Sequence, residues 1–215
     1  MEHSQIFIGA SILLSLGLRG SIAVPGWGVT NERKNRVLTK QIQDFPGDKD
    51  KIKNIFLIIS GNDIYSGKIE NHNGKLHYHF RNPKPEVEGL AEMYFDFISY
   101  LRISFPNAII DVLPPLPRSL EGEPCCQVFS GNARGERYMK KIKRKVQNII
   151  PNVQVYYWYQ ILKFVKICKH TSDKQYINCL FSRYCAADSV HLSQDGIQFF
   201  RNLYTMYSTK KSNGC

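Results

Sequence analysis

Apolar positions along this chain fall into short blocks separated by polar stretches of helical length. Residues 5–9 read as a strand that ends in Gly9-Ala10-Ser11, and Ile12 to Leu18 as a short helix. Ser21 to Val24 reads as a second strand, running into the loop Pro25-Gly26-Trp27-Gly28. Asn31 to Gln43 is polar except for Val37, Leu38 and Ile42 on one side, which predicts a surface helix broken by Pro46-Gly47-Asp48. The block Asn54 to Ile59 is almost wholly apolar, so it predicts a strand buried on both faces, as in the middle of a parallel sheet. It stops at Ser60-Gly61-Asn62-Asp63.

The second half follows the same rhythm. Residues 65–85 contain Asn71-His72-Asn73-Gly74 with His77 and His79 beyond, and predict a loop or hairpin inserted at the edge. Leu90, Met93, Tyr94, Phe97 and Leu101 recur at three- and four-residue spacing, predicting a helix over Glu86 to Phe105. Ala108 to Leu113 is another buried strand, stopped by Pro114-Pro115-Leu116-Pro117. Asn132 to Ile149 predicts a strongly basic helix, and Val153 to Trp158 a last strand. Residues 159–187 read as irregular with a helix or turns, Gly196 to Met206 as a closing helix, and 208–215 as a flexible tail. Strand and helix alternate with short connections, which is the pattern of a five-stranded, mostly parallel sheet covered by helices on both sides. No internal repeat and no Gly-, Ser- or Pro-rich linker divides residues 1–207, so they read as one domain. Sites in such sheets lie where loops converge beyond the carboxyl ends of the strands.

Composition narrows the class. At 215 residues with 43% hydrophobic content, the chain is long enough for a full core and too apolar for intrinsic disorder. No apolar run reaches the length of a spanning helix. Residues 6–18 have the length of a signal-peptide core, and Ser21-Ile22-Ala23 could serve as its cleavage site, but Glu2 and His3 replace the basic residues that should precede it. The rival reading, a buried first strand, is preferred, which implies a cytoplasmic protein; secretion is the alternative if residues 1–23 are cleaved. Cys125, Cys126, Cys168, Cys179, Cys185 and Cys215 form no CxxC pair and read as reduced thiols. His72, His77 and His79 have no carboxylate or Cys at ligand spacing, so neither a metal nor another cofactor is expected.

The formal charge of +11 implies attraction to polyanions. Much of it sits on the predicted basic helix, at Arg134, Arg137, Lys140, Lys141, Lys143, Arg144 and Lys145. These positions form either a solvated outer face or a phosphate-binding patch built from Arg137, Lys140, Lys141, Arg144 and Lys145. A weak nucleic-acid or other anionic partner follows from the second reading. Oligomeric state is left open by the sequence.

The strand ends carry the remaining chemistry. Acyl transfer from an ester needs a nucleophile, a base, a group that orients the base, and donors for the oxyanion. Ser11 follows a strand and opens a helix. Gly28 offers a backbone N–H with no side chain in the way, and Asn62 an uncharged side-chain donor. Asp188 precedes His191 by three residues, close enough to hold its tautomer through a local turn. Each feature also has an ordinary structural role: Ser11 as a helix N-cap, Gly61-Asn62-Asp63 as a turn, and His191 as a surface residue. Their joint occurrence at strand ends and in the last loop points to a site.

Four blocks carry a family resemblance: Phe7-Ile8-Gly9-Ala10-Ser11-Ile12-Leu13, Gly28-Val29-Thr30, Gly61-Asn62-Asp63, and Asp188-Ser189-Val190-His191-Leu192-Ser193 with Gly196. In order and spacing they resemble the SGNH hydrolases, the GDSL esterase/lipase superfamily, over residues 5–204. The resemblance implies a flavodoxin-like three-layer α/β/α sandwich and a carboxylic ester hydrolase acting on small acyl esters or O-acetyl groups. It implies Ser11 as nucleophile, His191 as base and Asp188 as its orienter. The oxyanion hole would be formed by the Ser11 and Gly28 N–H groups and the Asn62 side chain. Ala10 stands where the family has an Asp that braces the nucleophile loop. That departure opens an alternative, a catalytically degenerate module that binds nucleic acid or another polyanion through its basic face. Pro115 to Arg118, the basic helix and the Asp-x-x-His-Leu-Ser end are also similar to esterase domains of some non-LTR retrotransposons and related viral or mobile elements.

Overall fold

The structure is a computed structural model that describes residues 4–64, 67–72, 75–80, 87–116, 129–165, 184 and 191–212. Its centre is five parallel strands: β1 (Gln5–Ala10), β2 (Ser21–Val24), β3 (Asn54–Ile58), β6 (Ile109–Leu113) and β7 (Val153–Val155). Their order across the sheet is β2-β1-β3-β6-β7. A separate antiparallel hairpin, β4 (Gly67–His72) with β5 (Lys75–Phe80), follows β3, in the segment expected to be inserted. The side chains of His72, His77 and His79 lie outside the described part.

The period-2 geometry of a strand sorts the core into two layers. Ile6, Ile8, Ile55, Leu57, Ile110 and Val112 face one way. They pack against α2 (Glu32–Gln43), α4 (Val87–Ser104) and α5 (Phe129–Val146). Phe7, Phe56, Ile58 and Leu113 face the other way, against α1 (Ile12–Leu16), α6 (Trp158–Phe164) and α7 (Gln194–Ser212). The result is the expected three-layer α/β/α sandwich. Both sheet faces are covered, which is why the strands read as apolar runs rather than as alternating patterns.

Chain direction fixes where a site can form. From β1 the chain crosses through α1 to β2 on one side, then returns through α2 to β3 on the other side of β1. The order therefore reverses between β1 and β3, and a crevice opens beyond their carboxyl ends at this switch point. Gly9 lets these neighbours close up, since a Cβ there would lie 3.2 Å from the Ile58 carbonyl oxygen.

Two segments differ from expectation. The last strand ends at Val155 instead of reaching Trp158. The Gln160 side chain accepts a hydrogen bond from the Tyr157 N–H at 2.9 Å and starts α6, while Trp158 Nε1 donates to the Pro115 carbonyl at 3.0 Å. The segment from residue 208, read as a tail, continues as helix to Ser212. Tyr207 and Ser208 are buried, Lys210 Nζ donates to the Phe164 carbonyl at 2.9 Å, and Lys211 reaches Asp111 at 3.3 Å. Lys210 and Lys211 anchor the final turn. No described helix is long and apolar enough to cross a membrane.

Candidate active site at the ends of β1 and β3

A pocket of about 390 Å3 opens beyond β1 and β3. Ser11, Ser15, Ser60, Asn62 and His191 supply polar groups to its wall, while Ile58, Ile59, Leu116, Leu192 and Ile197 make much of the rest. Three of the residues singled out in the sequence, Ser11, Asn62 and His191, thus come together from positions far apart in the chain. Asp188 lies outside the described residues.

Ser11 is exposed and sits in a helical conformation, φ −50° and ψ −25°, at the junction of β1 and α1. An N-capping serine takes extended angles and folds its oxygen back onto the helix N–H groups. Ser11 does neither: its side chain makes no capping hydrogen bond, so its Oγ is not consumed by the helix it precedes. Ala10 is buried in the apolar core and contributes to the pocket wall.

The second strand end is a hydrogen-bonded scaffold. Ser60 is buried, donates from Oγ to the Trp27 carbonyl at 2.5 Å and accepts from the Asn62 N–H at 3.1 Å. Asn62 Nδ2 donates to the same carbonyl at 3.0 Å. An amide NH2 carries two hydrogens, so this bond fixes the group and leaves the second for the pocket. Trp27 is fully buried, edge-on to Tyr94 and against Phe97, and that packing holds the shared carbonyl in place.

Asp63 ties the Gly28 loop to this scaffold. It is 1% exposed. Its carboxylate accepts from Val29 N at 2.9 Å, Thr30 N at 3.0 Å, Thr30 Oγ1 at 2.6 Å and the Tyr94 hydroxyl at 2.6 Å. Tyr94 in turn accepts from the Ser60 N–H at 3.0 Å. Burial above all, and then the Asp63 charge, push the Tyr94 phenol well above its ordinary range, so it remains a donor. Gly28 is buried beside Asp63, and a Cβ on it would fall 2.5 Å from Oδ1. Among the residues lining the pocket the loop contributes Gly26, whose φ of +68° belongs to the turn closed by Trp27 N and the Val24 carbonyl at 3.0 Å. Asp63, Tyr94, Ser60 and Trp27 were not singled out in the sequence. Asp63 and Ser60 stood in the right block, but nothing in the pattern around Tyr94 separated it from the apolar face of its helix.

His191 is exposed and is positioned by the start of α7. Ser193 caps this helix, its Oγ accepting from the Gly196 N–H at 3.1 Å, and its own N–H donates to the Tyr184 carbonyl at 2.9 Å. Gly196 permits this close approach, since a Cβ would meet the Tyr184 oxygen at 2.3 Å. At its other end α1 is joined to α7 by Arg201 Nε, which donates to the Leu16 carbonyl at 2.6 Å. The elements bearing Ser11 and His191 are therefore bound to each other below the pocket. Among the described residues no group of His, Cys, Asp and Glu is placed to hold a metal.

Solved structures share this architecture. A protein from Streptococcus pneumonia named for platelet activating factor superposes over 96% of this chain and 84% of its own, with TM-score 0.57 and 16% identity. A GDSL-like lipase from Parabacteroides merdae covers 95% of this chain and 94% of its own, with TM-score 0.53 and 14% identity. The chain has the SGNH hydrolase fold. No family model and no curated protein matches the sequence itself. On the SGNH fold, the Ser11, Asn62 and His191 blocks meet at the β1–β3 switch point. Gly28 is not among the described residues that line the pocket; Asp63 ties its loop to the end of β3.

The basic residues of α5 differ in exposure. Arg137, Lys140 and Arg144 are exposed, whereas Lys141 and Lys145 are half-buried. Lys145 pairs with Glu92 of α4 and lies over the Phe95 ring at 5.6 Å.

Proposed function

We propose that the protein is a serine esterase that hydrolyses small acyl esters or O-acetyl groups. The observation that carries this reading is the convergence of Ser11, Asn62 and His191 on one pocket, with the Ser11 hydroxyl not engaged in capping. Ser11 Oγ attacks the ester carbonyl carbon while the His191 imidazole takes its proton. The carbonyl oxygen becomes an oxyanion, held by the Ser11 N–H and by Asn62 Nδ2, with the Gly28 loop braced beside them by Asp63. Collapse expels the alcohol, protonated by His191, and leaves an acyl-serine. Water, deprotonated by the same imidazole, then releases the carboxylic acid and restores Ser11. Asp188 holds His191 in the required tautomer and offsets its positive charge. Fixed uncharged donors suit this chemistry because they need no reorganisation as the charge develops. The apolar part of the wall suits the acyl group.

Hydrolysis of p-nitrophenyl acetate and labelling by a fluorophosphonate probe test the proposal together. Ser11→Ala should abolish labelling and lower turnover by at least about 10³-fold, and Asn62→Ala should cost about 10²-fold or more. A wild-type protein that is folded yet resists the probe would overturn the esterase reading.

A further inference from the structure

A second cleft, of about 320 Å3, lies along α5 and shares no lining residue with the pocket described above. Its wall is Lys140, Lys143, Arg144, Gln147, Asn148 and Tyr157. Helix periodicity explains the set: residues 140, 143, 144 and 147 share one face, while Met139, Ile142 and Val146 are turned into the core. Tyr157 arrives from the other side, two residues beyond β7, which is an edge of the five-stranded sheet. Lys143 Nζ stands 5.5 Å from the Tyr157 ring centroid. Tyr159, 40% exposed, stacks on Tyr157 with ring planes 9° apart and centroids 5.7 Å apart. Among the described residues no carboxylate lines the cleft; Glu136 is near enough to act on the Tyr157 phenol, where the Arg144 charge opposes it.

The combination is specific in its chemistry. Three cations on the last turns of α5 and two side-chain amides just beyond its end make a run of about 10 Å, which matches about three phosphates of an extended strand. A stacked, partly exposed tyrosine pair beside them offers a flat surface to an unpaired base. An anionic membrane would need no concavity and would gain from aliphatic side chains, and the described lining residues include none. We propose that the cleft binds single-stranded nucleic acid, its phosphates on Lys140, Lys143 and Arg144 and a base on the Tyr159–Tyr157 stack. The cations that matter are therefore fewer than the sequence suggested. Lys145 faces Glu92 and Arg137 lies outside the cleft lining.

The test is fluorescence anisotropy with twelve-nucleotide oligouridylate and oligothymidylate at about 50 mM salt, followed by a salt titration. The expected slope of log K against log salt is about −2, from about three phosphates on a single strand. Lys140→Glu with Arg144→Glu should weaken binding at least tenfold and flatten the slope. Tyr159→Ala should weaken it about fivefold or more with the slope unchanged, since stacking is not ionic. Arg33→Glu with Lys40→Glu makes the same charge change on α2, at two exposed positions, and should have little effect. All these side chains are partly or fully exposed; unchanged thermal melting and ester hydrolysis check the fold. The two oligonucleotides distinguish RNA from DNA as the source of the strand. The proposal is overturned if wild type binds neither, if the α2 control loses as much as the cleft variant, or if duplex binds as well and Tyr159→Ala changes nothing. Binding to phosphatidylserine vesicles without binding to the oligonucleotides would also overturn it.

Discussion

Two buried aspartates sit on opposite faces of the sheet, and they are satisfied in opposite ways. Asp63 lies under the candidate active site and receives four hydrogen bonds from neutral groups, two on each oxygen. Asp111 lies in the middle of β6, where the register sets it beside Phe56 and, beyond that, Phe7. It faces an aromatic layer. Tyr207 donates to Oδ2 at 3.0 Å and Lys211 stands 3.3 Å from the same oxygen, while Oδ1 is buried with no partner. Burial raises the Asp111 carboxyl above its ordinary range, and Lys211 and Tyr207 pull it back only in part. The contrast separates two uses of a buried charge. A carboxylate saturated by fixed donors is a joint that holds a backbone loop in place. A carboxylate that shares a single cation is an anchor for one helix turn, and its desolvation is only partly repaid.

The same substitution should therefore have unequal effects at the two sites. Asp63→Asn places an NH2 against groups that already donate, so on whichever side it falls a backbone N–H, Val29 or Thr30, loses its acceptor. It should cost about 3 kcal/mol or more and carry ester hydrolysis down with it, because the Gly28 loop is released. Asp111→Asn keeps an acceptor for Tyr207 and turns its NH2 to the side that now has nothing. It should cost about 1 kcal/mol or less. Urea unfolding of both variants decides the matter; equal losses would show that the donor count at Asp63 does not explain its burial.

The next effect concerns Lys211. Lys211→Met alone leaves the Asp111 carboxylate buried with only Tyr207, and should destabilise by about 2–3 kcal/mol. Adding Asp111→Leu removes the unpaired charge and should restore most of that loss, since a buried ion pair is often matched by apolar side chains of similar volume. A double variant as unstable as the single one would mean that Lys211 acts through its stem on Tyr156, Phe164 and Tyr207 rather than through its charge.

Tyr94→Phe gives a smaller loss on the Asp63 side. It removes one of four donors to the carboxylate and leaves the buried Ser60 N–H without its acceptor, which should cost about 1–2 kcal/mol. If the hydroxyl positions the oxyanion donors, kcat for p-nitrophenyl acetate should fall about tenfold with KM little changed. A purely structural role predicts the stability loss with kcat intact.

These two aspartates also mark how far the sequence can be read. The strands at β1, β2, β3 and β6 are visible as apolar runs because both sheet faces are covered, and the Pro and Gly punctuation after them is local chemistry. Ser11 and Asn62 at strand ends and His191 before α7 are visible through their motif spacing. Asp63 was adjacent to a recognised residue, but its role depends on Tyr94, 31 positions away and hidden in a helical repeat of core residues. Asp111 reads as one polar residue in an apolar strand, with no local sign that a lysine 100 residues later would reach it. The segment from residue 208, expected as a tail, differs for the same reason: the groups that Lys210 and Lys211 meet, the Phe164 carbonyl and Asp111, are far away in the chain. Short-range preferences leave a trace in the chain, and pairings across the sheet do not.

The smallest predicted effect is the dependence of the Asp111 pair on pH, and its sign is what makes it useful. Burial alone would lower the Lys211 ammonium, but the Asp111 carboxylate and Tyr156 hold it above its ordinary value of 10.5. A lysine raised in the folded state contributes stability that is fully present below the unfolded value and is lost as pH rises through the folded one. Tyr207, raised by burial and by Asp111, acts in the same direction. Asp111 is itself raised from 3.8, so the folded protein binds that proton more tightly than the unfolded chain does. Its contribution is present below 3.8 and lost as pH rises through the folded value, the reverse of an ordinary salt-bridged carboxylate. Subtracting the unfolding free energy of Asp111→Asn from that of wild type isolates these contributions. The difference should be largest in acid, level around neutral pH, and fall again above about pH 10.5. Guanidinium unfolding across that range measures it. A difference that grows in alkali would show that Lys211 gains nothing from Asp111, and a difference that shrinks in acid would show that Asp111 is stabilised as a carboxylate, like a fully bonded one, rather than held against its burial.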